Sequence, residues 1–566
     1  MPEPSVKKIK TDTAAVLHPD VLGTSAEARR AIRGVCAGNA PFPHYQIPVL
    51  CTVEHMRKVH TECVQELQST FKETDLFKLY QTIDLGNLKA SSPLAKKLPA
   101  LMQLRNALYT SEFRQYMADI TGCGPLTDKV DCAANVYMTG CHLLPHDDVI
   151  GTRCISYVIY LSDPDDEWTA ADGGALELYP QTVPSSGIPA LVPTAFALPT
   201  YNSLALFPVA PGVSFHSVQE VYADKPRLSI QGWYHQDGAP DGVDAATAKQ
   251  VAAIEAAQHP FVALVTSPGG DDSEELTETE MADLSKFINP IYLKEDTLEQ
   301  VQEAFQQSGS IQLQDFLTSP WVSAIDAAMR AADSAEKLGH GQVPSYTAGY
   351  DQAGSWTAQG PLFLQRYLRY TGAVPASIPA LDTSCPTVQP ATTTTNNSDP
   401  TPGQLLAFIQ TFLVQCPAFI KWVSLATGVA PSAARSEVRR FRPGLDYTLA
   451  HHAPSSKPSS PILDVVLCFC NAEASDAAAD DDGPWTTSGY ECYVRAEDDG
   501  IGDVAVSTDD NEDDDERHAP VQIPAQPNTL SLVVRDTSTM KFVKFVTCRE
   551  PGSRWDVNVE FELPAP

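Results

Sequence analysis

Residues 135–161, NVYMTGCHLLPHDDVIGTRCISYVIYL, decide how the chain is read. Upstream of Asn135, apolar residues recur at helical spacing in Ala26 to Val35, Val53 to Phe71 and Leu98 to Ile120. From Asn135 onward they come in short β-rich runs. NVYM and RCISYVIYL lie inside the quoted stretch, and GALELY, SLALFPV and RLSIQGWYH follow it. Turns such as Asp172-Gly173-Gly174 and Ala210-Pro211-Gly212 separate these runs. Helices followed by many short strands predict an α+β, mainly β fold, a sandwich or barrel buttressed by helices on one side.

The same order occurs a second time. A Ser/Pro/Gly/Asp-rich linker at 266–274 precedes a helical region from Glu275 through Leu338, and the strand-like runs EVRRF, ILDVVLCFC, GYECYV, TLSLVV and WDVNVEF come after it. This predicts a tail over 1–24, a first domain over 25–265 and a second over 275–566. Within the second, 379–403 reads as a low-complexity loop and 476–516 as an acidic insertion. A repeat can be laid out between the halves. YMTGCHLLPHDD (137–148) aligns without gaps on FRPGLDYTLAHH (441–452), and SLALF (203–207) matches LSLVV (530–534). Arg227 lies eleven residues beyond His216, as Arg554 does beyond Val543.

The 566 residues carry 39 basic and 71 acidic side chains, a formal charge of −32, which argues against a general nucleic-acid binder and leaves basic protein partners open. Sixteen of the acids and one Arg fall between Asp476 and Glu516. DDNEDDDE (509–516) repels itself in a compact fold and reads as solvated, with a docking surface for a basic protein as the alternative. No run approaches the length of apolar chain that a membrane span needs, and MPEPSVKKIKTDTAA lacks the apolar stretch of a secretory signal. Lys7-Lys8-Ile9-Lys10 reads as a solvated tail or a short nuclear address. Thirteen scattered cysteines without a CxxC pair fit reduced thiols of the cytosol or nucleus.

The chemistry points to His146-Asp147-Asp148. A His-x-Asp on a strand projects both side chains to one face. One distant imidazole would complete two histidines and a carboxylate around a metal, leaving positions open for substrate and oxygen. His216 and Arg227, in SFHSVQEVYADKPRLSIQGWYH (214–235), supply that imidazole and a cation able to grip a carboxylate bidentately. Tyr160 and Tyr137 offer hydroxyls to the same carboxylate. His142, four residues before His146, is not a helical zinc partner because Pro145 and the β pattern oppose a helix. His235 reads as a packed or surface histidine, and Ser203 and Ser214 lack the neighbours of a hydrolase.

MTGCHLLPHDD, YVIYLSDP, GGALELY, FHSVQEV and RLSIQGWYH together resemble the 2-oxoglutarate- and Fe(II)-dependent prolyl hydroxylases that modify a ribosomal protein. That family comprises fungal prolyl 3,4-dihydroxylases and animal prolyl 3-hydroxylases. FINPIYLKEDTLEQVQEAF (287–305) and RRFRPGLDYTLA (439–450) resemble its C-terminal domain. The resemblance implies two tandem double-stranded β-helix (jelly-roll) domains supported by helices, only the first catalytic. It implies iron ligation by His146, Asp148 and His216, and a 2-oxoglutarate salt bridge to Arg227. Tyr160 and Tyr137 match positions that help hold the cosubstrate, with Trp233 as an aromatic near the site. It further implies L-ascorbate as a reductant, a basic small-subunit ribosomal protein of the decoding centre as substrate, and action in nucleus and cytoplasm without direct nucleic-acid or membrane contact.

In the second half the repeat sets Ala450, His452 and Val543 at the positions of His146, Asp148 and His216, a set that cannot form the same triad. His451 and His452 read as exposed. The competing reading is an oxygen-responsive regulator acting by protein binding through its C-terminal domain.

Overall fold

The structure is a computed structural model that describes residues 13–264, 275–350, 354–378, 381, 399–451, 460–473, 484–495 and 520–564. Packing divides the chain into two units that meet at Ala253/Ile254. The expected linker at 266–274, most of the loop at 379–403 and most of the acidic segment lie outside the described residues.

The first unit carries strands β1 (Tyr45–Ile47), β2 (Thr70–Glu73), β3 (Phe77–Asp84), β4 (Asp131–Tyr137), β5 (His142–His146), β6 (Arg153–Tyr160), β7 (Leu176–Leu178), β8 (Ala195–Ala197), β9 (Leu204–Pro208), β10 (His216–Val218) and β11 (Arg227–His235). They join in the order β1-β9-β6-β11-β4-β3-β5-β10-β7-β8, with β2 paired to β3. Along β11 the alternation of a strand does the sorting. Leu228, Ile230 and Tyr234 enter the core shared with Met56, Leu104, Phe113 and Met117 of the helices Val53–Glu66, Pro99–Leu108 and Ser111–Thr121. Arg227, Ser229 and Trp233 therefore project to the other face, where the site lies.

The second unit repeats this pairing. Strands Thr529–Arg535, Ile462–Phe469, Arg554–Glu562 and Ala433–Phe441 neighbour one another in that order, as β9, β6, β11 and β4 do. Arg554 stands opposite Phe441 as Arg227 stands opposite Tyr137. Helices Glu295–Ser308, Ser319–Glu336, Pro402–Gln415 and Pro417–Thr427 bury Val301, Trp321, Leu406 and Trp422 against Val438, Val465, Leu532 and Val557.

Several expectations are corrected by the local chemistry. Residues 13–24 are no loose tail: Val16 and Val21, on the short helices Thr13–Val16 and Pro19–Leu22, and Leu17 between the helices are buried in the first core. The helix expected to reach Phe71 stops at Glu66, and Phe71 joins β2, whose partner β3 begins four residues after β2 ends. The run Leu98 to Ile120 is two helices because Thr110 interrupts it, its hydroxyl accepting from the Phe113 amide as an N-cap. Between Glu275 and Leu338 a strand, Ser310–Leu313, intervenes where Gly309 takes φ +70° and ends the preceding helix. Within the acidic segment the strand-like run GYECYV contains the strand Glu491–Arg495, with Glu491 and Cys492 buried, while DDNEDDDE (509–516) lies outside the described residues.

Gly232 sits between the two site-bearing ends of β11. A Cβ there would run into the Asp131 carbonyl and lie 2.6 Å from the Tyr157 hydroxyl, itself 3.0 Å from the Tyr109 hydroxyl. Gly232→Ala is expected to destabilise the protein by about 1–3 kcal/mol through overpacking. An unfolding midpoint in urea equal to that of the wild type would show that β11 is not so tightly backed.

Candidate metal centre

β5 pairs antiparallel with β10 so that His146 faces His216. β5 ends at His146, and Asp148 lies beyond it at φ +62°. The shared face is thus made by a turn and not, as the sequence pattern suggests, by strand alternation. Aspartate tolerates the left-handed region better than most residues. Asp147 fastens the turn: its Oδ1 accepts from the Val149 amide (3.2 Å), its Oδ2 from the Gly212 amide (3.1 Å) and its carbonyl from the Ser214 hydroxyl (3.0 Å). The sequence pattern gave Asp147 no role.

One ligand atom from each of His146, Asp148 and His216 lies within 4.8 Å of the others, and among the described residues this is the group able to hold a metal. His146 Nε2 is 3.4 Å from Asp148 Oδ1, and His216 Nε2 is 3.4 Å from Asp148 Oδ2. Such separations suit adjacent donors around an ion with bonds of roughly 2.1 Å. Each imidazole turns Nδ1 to a carbonyl two residues back, Leu144 (2.9 Å) and Ser214 (2.8 Å), and Nδ1–H donation there leaves the Nε2 lone pairs facing Asp148. Burial and the neighbouring His146 push His216 down to about 4, so its ring is neutral. Burial opposes ionisation of Asp148, but His216, His146 and Arg153 hold its carboxyl well below the usual range. The chemistry of this donor set fits a divalent metal.

Trp233, expected as an aromatic near the site, bears on the Asp148 carboxylate. Its Nε1–H donates to Asp148 Oδ2 (3.0 Å), and the Arg153 guanidinium lies 3.5 Å from the centre of its indole ring. Neither Arg153 nor the indole bond had a signal in the sequence. His235 is structural, placed between Thr152 (2.9 Å) and Asp131 (3.1 Å).

Arg227, Ser229, Tyr137 and Asn135 share one face because β11 and β4 pair Arg227 with Tyr137 and Ser229 with Asn135, while β6 sets Tyr160 beside Ser229. Arg227 is 1% exposed; its Nε donates to the Gly174 carbonyl (2.6 Å) and its Nη1 to Ser229 (3.4 Å). Its Nη2, the hydroxyls of Tyr137 and Tyr160 and both amide atoms of Asn135 are buried without a hydrogen-bond partner. Native interiors rarely leave such groups unpaired. A cation, two hydroxyls and an amide gathered this way fit a carboxylate. Burial raises the Tyr137 hydroxyl to about 12 and also raises that of Tyr160, so both remain protonated donors. Asn135 was missed by sequence reading, since a polar residue in a β run has no mark of its own.

The second unit closes the equivalent positions. Arg554 meets Glu491 (3.0 Å) and Asp556 (3.2 Å), Phe441 replaces Tyr137, and Cys468 pairs with Asp556 as Tyr160 does with Ser229. Val543 is buried, and Ala450 packs against the cluster that holds Met540 and Phe542. His452 lies outside the described residues, and His451 is partly buried where an exposed side chain was expected.

Residues 132–235 match the model of the 2OG-Fe(II) oxygenase superfamily, and 279–565 match that of the oxoglutarate and iron-dependent oxygenase degradation C-term. The prolyl 3,4-dihydroxylase OGFOD1 of Ostreococcus tauri is 38% identical over 511 residues, 88% of this chain and 91% of its own. The prolyl 3-hydroxylase OGFOD1 of Xenopus laevis is 32% identical over 325 residues, 56% of this chain and 55% of its own. The prolyl 3-hydroxylase sudestada1 of Drosophila melanogaster is 26% identical over 328 residues, 57% of this chain and 55% of its own.

If Arg227 grips the distal carboxylate of 2-oxoglutarate, Arg227→Ala removes a charge-assisted pair on the order of 2–4 kcal/mol. The 2-oxoglutarate requirement is expected to rise about 30- to 800-fold. Steady-state kinetics with 2-oxoglutarate varied would refute the assignment by showing an unchanged requirement.

Proposed function

Because the chain belongs to the OGFOD1 family of 2-oxoglutarate- and iron(II)-dependent prolyl hydroxylases, we propose that it hydroxylates a proline of the basic decoding-centre protein of the small ribosomal subunit. The observation that carries the reading is the pairing of one metal-binding triad with a buried arginine that has no carboxylate partner among the described residues. The same proposal takes His146, Asp148 and His216 as the iron ligands, and Arg227, Tyr137 and Tyr160 as the grip on the distal carboxylate of 2-oxoglutarate.

Iron and 2-oxoglutarate, when bound, supply an oxidant able to place one oxygen of O2 on a prolyl carbon, with succinate and CO2 as the other products. This chain's own residues bind, orient and shield. Both histidines turn Nε2 toward Asp148, and the indole N–H of Trp233 fixes one oxygen of the Asp148 carboxylate, which keeps the donor set in one geometry. Arg227 and the protonated tyrosines orient the cosubstrate from the far wall, and Asn135 adds donor and acceptor capacity beside them. Phe207, 4.6 Å from the His216 ring, helps keep water from its buried side.

We further propose that both units are double-stranded β-helices, a reading supported by their common strand order. L-Ascorbate would keep the iron reduced, and the enzyme would work in nucleus and cytoplasm, where a ribosomal protein is made and assembled. A second reading, regulation of a protein partner through the C-terminal unit, draws on the degradation C-term description that fits residues 279–565.

Mass spectrometry of the ribosomal protein, incubated with iron-loaded enzyme and 2-oxoglutarate, is expected to find oxygen added to one proline together with stoichiometric succinate. His146→Ala should yield neither while keeping a folded circular-dichroism spectrum. A fully active enzyme that leaves this protein unmodified would exclude the substrate, and turnover by His146→Ala would exclude the ligand set. A regulatory partner bound equally well by His146→Ala would favour the second reading.

A further inference from the structure

Of the twelve cysteines among the described residues, eleven are buried and Cys123 alone is partly open to solvent. It follows Gly122, the left-handed cap of the helix Ser111–Thr121, and precedes Gly124, also at positive φ. The thiol thus sits on a segment whose two flanking residues are exposed and bear no side chain. Its Sγ lies 4.0 Å from the carbonyl oxygen of Cys154, near the start of β6, and the two thiols hydrogen-bond to each other. Cys154 is 5% exposed and belongs to the helix-backed core. Arg33, on the helix Ala26–Gly38, lies against Gly122, where an added Cβ would come within 2.7 Å of its Nη2, and its charge acts on the Cys123 thiol.

These contacts sort the two thiols into different roles. The hydrogen bond from Cys154 and the Arg33 guanidinium lower Cys123 to about 7 against the opposing effect of burial, so about half of it is thiolate near neutral pH. Cys154 is pushed the other way, first by its bond to Cys123 and then by burial, and stays a thiol. An open thiolate beside a cation, with a protonated thiol in contact, has the makings of an oxidisable cysteine and its resolving partner.

We propose that Cys123 and Cys154 are a reversible oxidation site, with Cys123 as the thiolate that reacts with a peroxide and Cys154 as the thiol that resolves the product into a disulfide. The Cys123 sulfur takes one oxygen of hydrogen peroxide as the O–O bond breaks and hydroxide leaves, which gives a sulfenic acid. The Cys154 sulfur then attacks it. The S–S bond forms, the S–O bond breaks, and the departing hydroxide takes the Cys154 proton and leaves as water. Two thiols lose two electrons, and one peroxide becomes two waters. The first step removes the negative charge of Cys123, and with it part of what keeps Cys154 protonated. The site is separate from the hydroxylation chemistry and does not depend on it.

Hydrogen peroxide applied to the full-length protein, loaded with zinc so that no iron reacts with the peroxide, tests the assignment by peptide mapping without reductant. A Cys123–Cys154 link is expected, reversed by dithiothreitol. Cys123 should lose its thiol at least about threefold faster than the buried cysteines, because its larger thiolate population outweighs the lower nucleophilicity of that thiolate. Cys154→Ser should leave a sulfenic acid at Cys123 that dimedone traps, and Cys123→Ser should leave Cys154 a thiol. The proposal is overturned if Cys123 reacts no faster than the buried thiols, or if it links instead to Cys36, whose thiol also senses its charge, or to any other cysteine. It is equally overturned if Cys154 is oxidised at the wild-type rate in Cys123→Ser. Should either serine variant fail to fold, the rates and the link found in the wild type decide alone.

Discussion

A guanidinium taken out of water without a counter-ion carries a penalty of several kcal/mol, and Arg227 is buried with one nitrogen unmatched. The rest of the first unit is arranged so that this is tolerated until a carboxylate arrives. β11 is held between β4 and β6, and its alternate residues are locked into the helix-backed core, so Arg227 cannot swing out to solvent. The rings of Tyr137 and Tyr160 lie 4.9 and 5.1 Å from the guanidinium carbon, close enough to stabilise the charge in part. The orphaned hydroxyls and amide around it are the remainder of the same arrangement. Local instability is accepted so that a ligand group finds its donors already oriented.

The second unit shows the same frame with the opposite resolution. Arg554 occupies the register of Arg227 but is closed off by Glu491 and Asp556, and the interior becomes a lattice of ion pairs. Removing a single member of such a lattice would leave a buried charge uncompensated. Position in the β frame therefore does not confer chemistry by itself. What differs is whether acids of the chain reach the guanidinium first.

The metal end depends on backbone conformation more than on strand geometry. Asp148 is held at positive φ, and the neighbouring Asp147 ties that turn to the Gly212–Ser214 segment just before His216. Since residues in sparsely populated backbone regions persist only where their surroundings over-determine them, the adjacent aspartates divide the work. One presents a carboxylate to the metal and the other keeps the turn that aims it. Both histidines are oriented by the same device, an Nδ1 contact to the carbonyl two residues earlier.

The residues by themselves determined the α+β composition, the helix-then-strand order in each half, and the identity of His146, Asp148, His216, Arg227, Tyr137 and Tyr160 as the set to watch. These were legible because hydrophobic period and residue type are local properties. Asn135, Asp147 and Arg153 and the indole bond of Trp233 were not, because each acts only through neighbours brought from distant parts of the chain. Helix ends at Glu66 and Thr110 escaped for a related reason: a cap or a strand partner overrode a continuing apolar period. Only the tertiary structure decided which arginine stays open to a ligand, Arg227 or Arg554. Burial and charge pairing belong to three-dimensional neighbours, and the sequence writes both arginines in the same way.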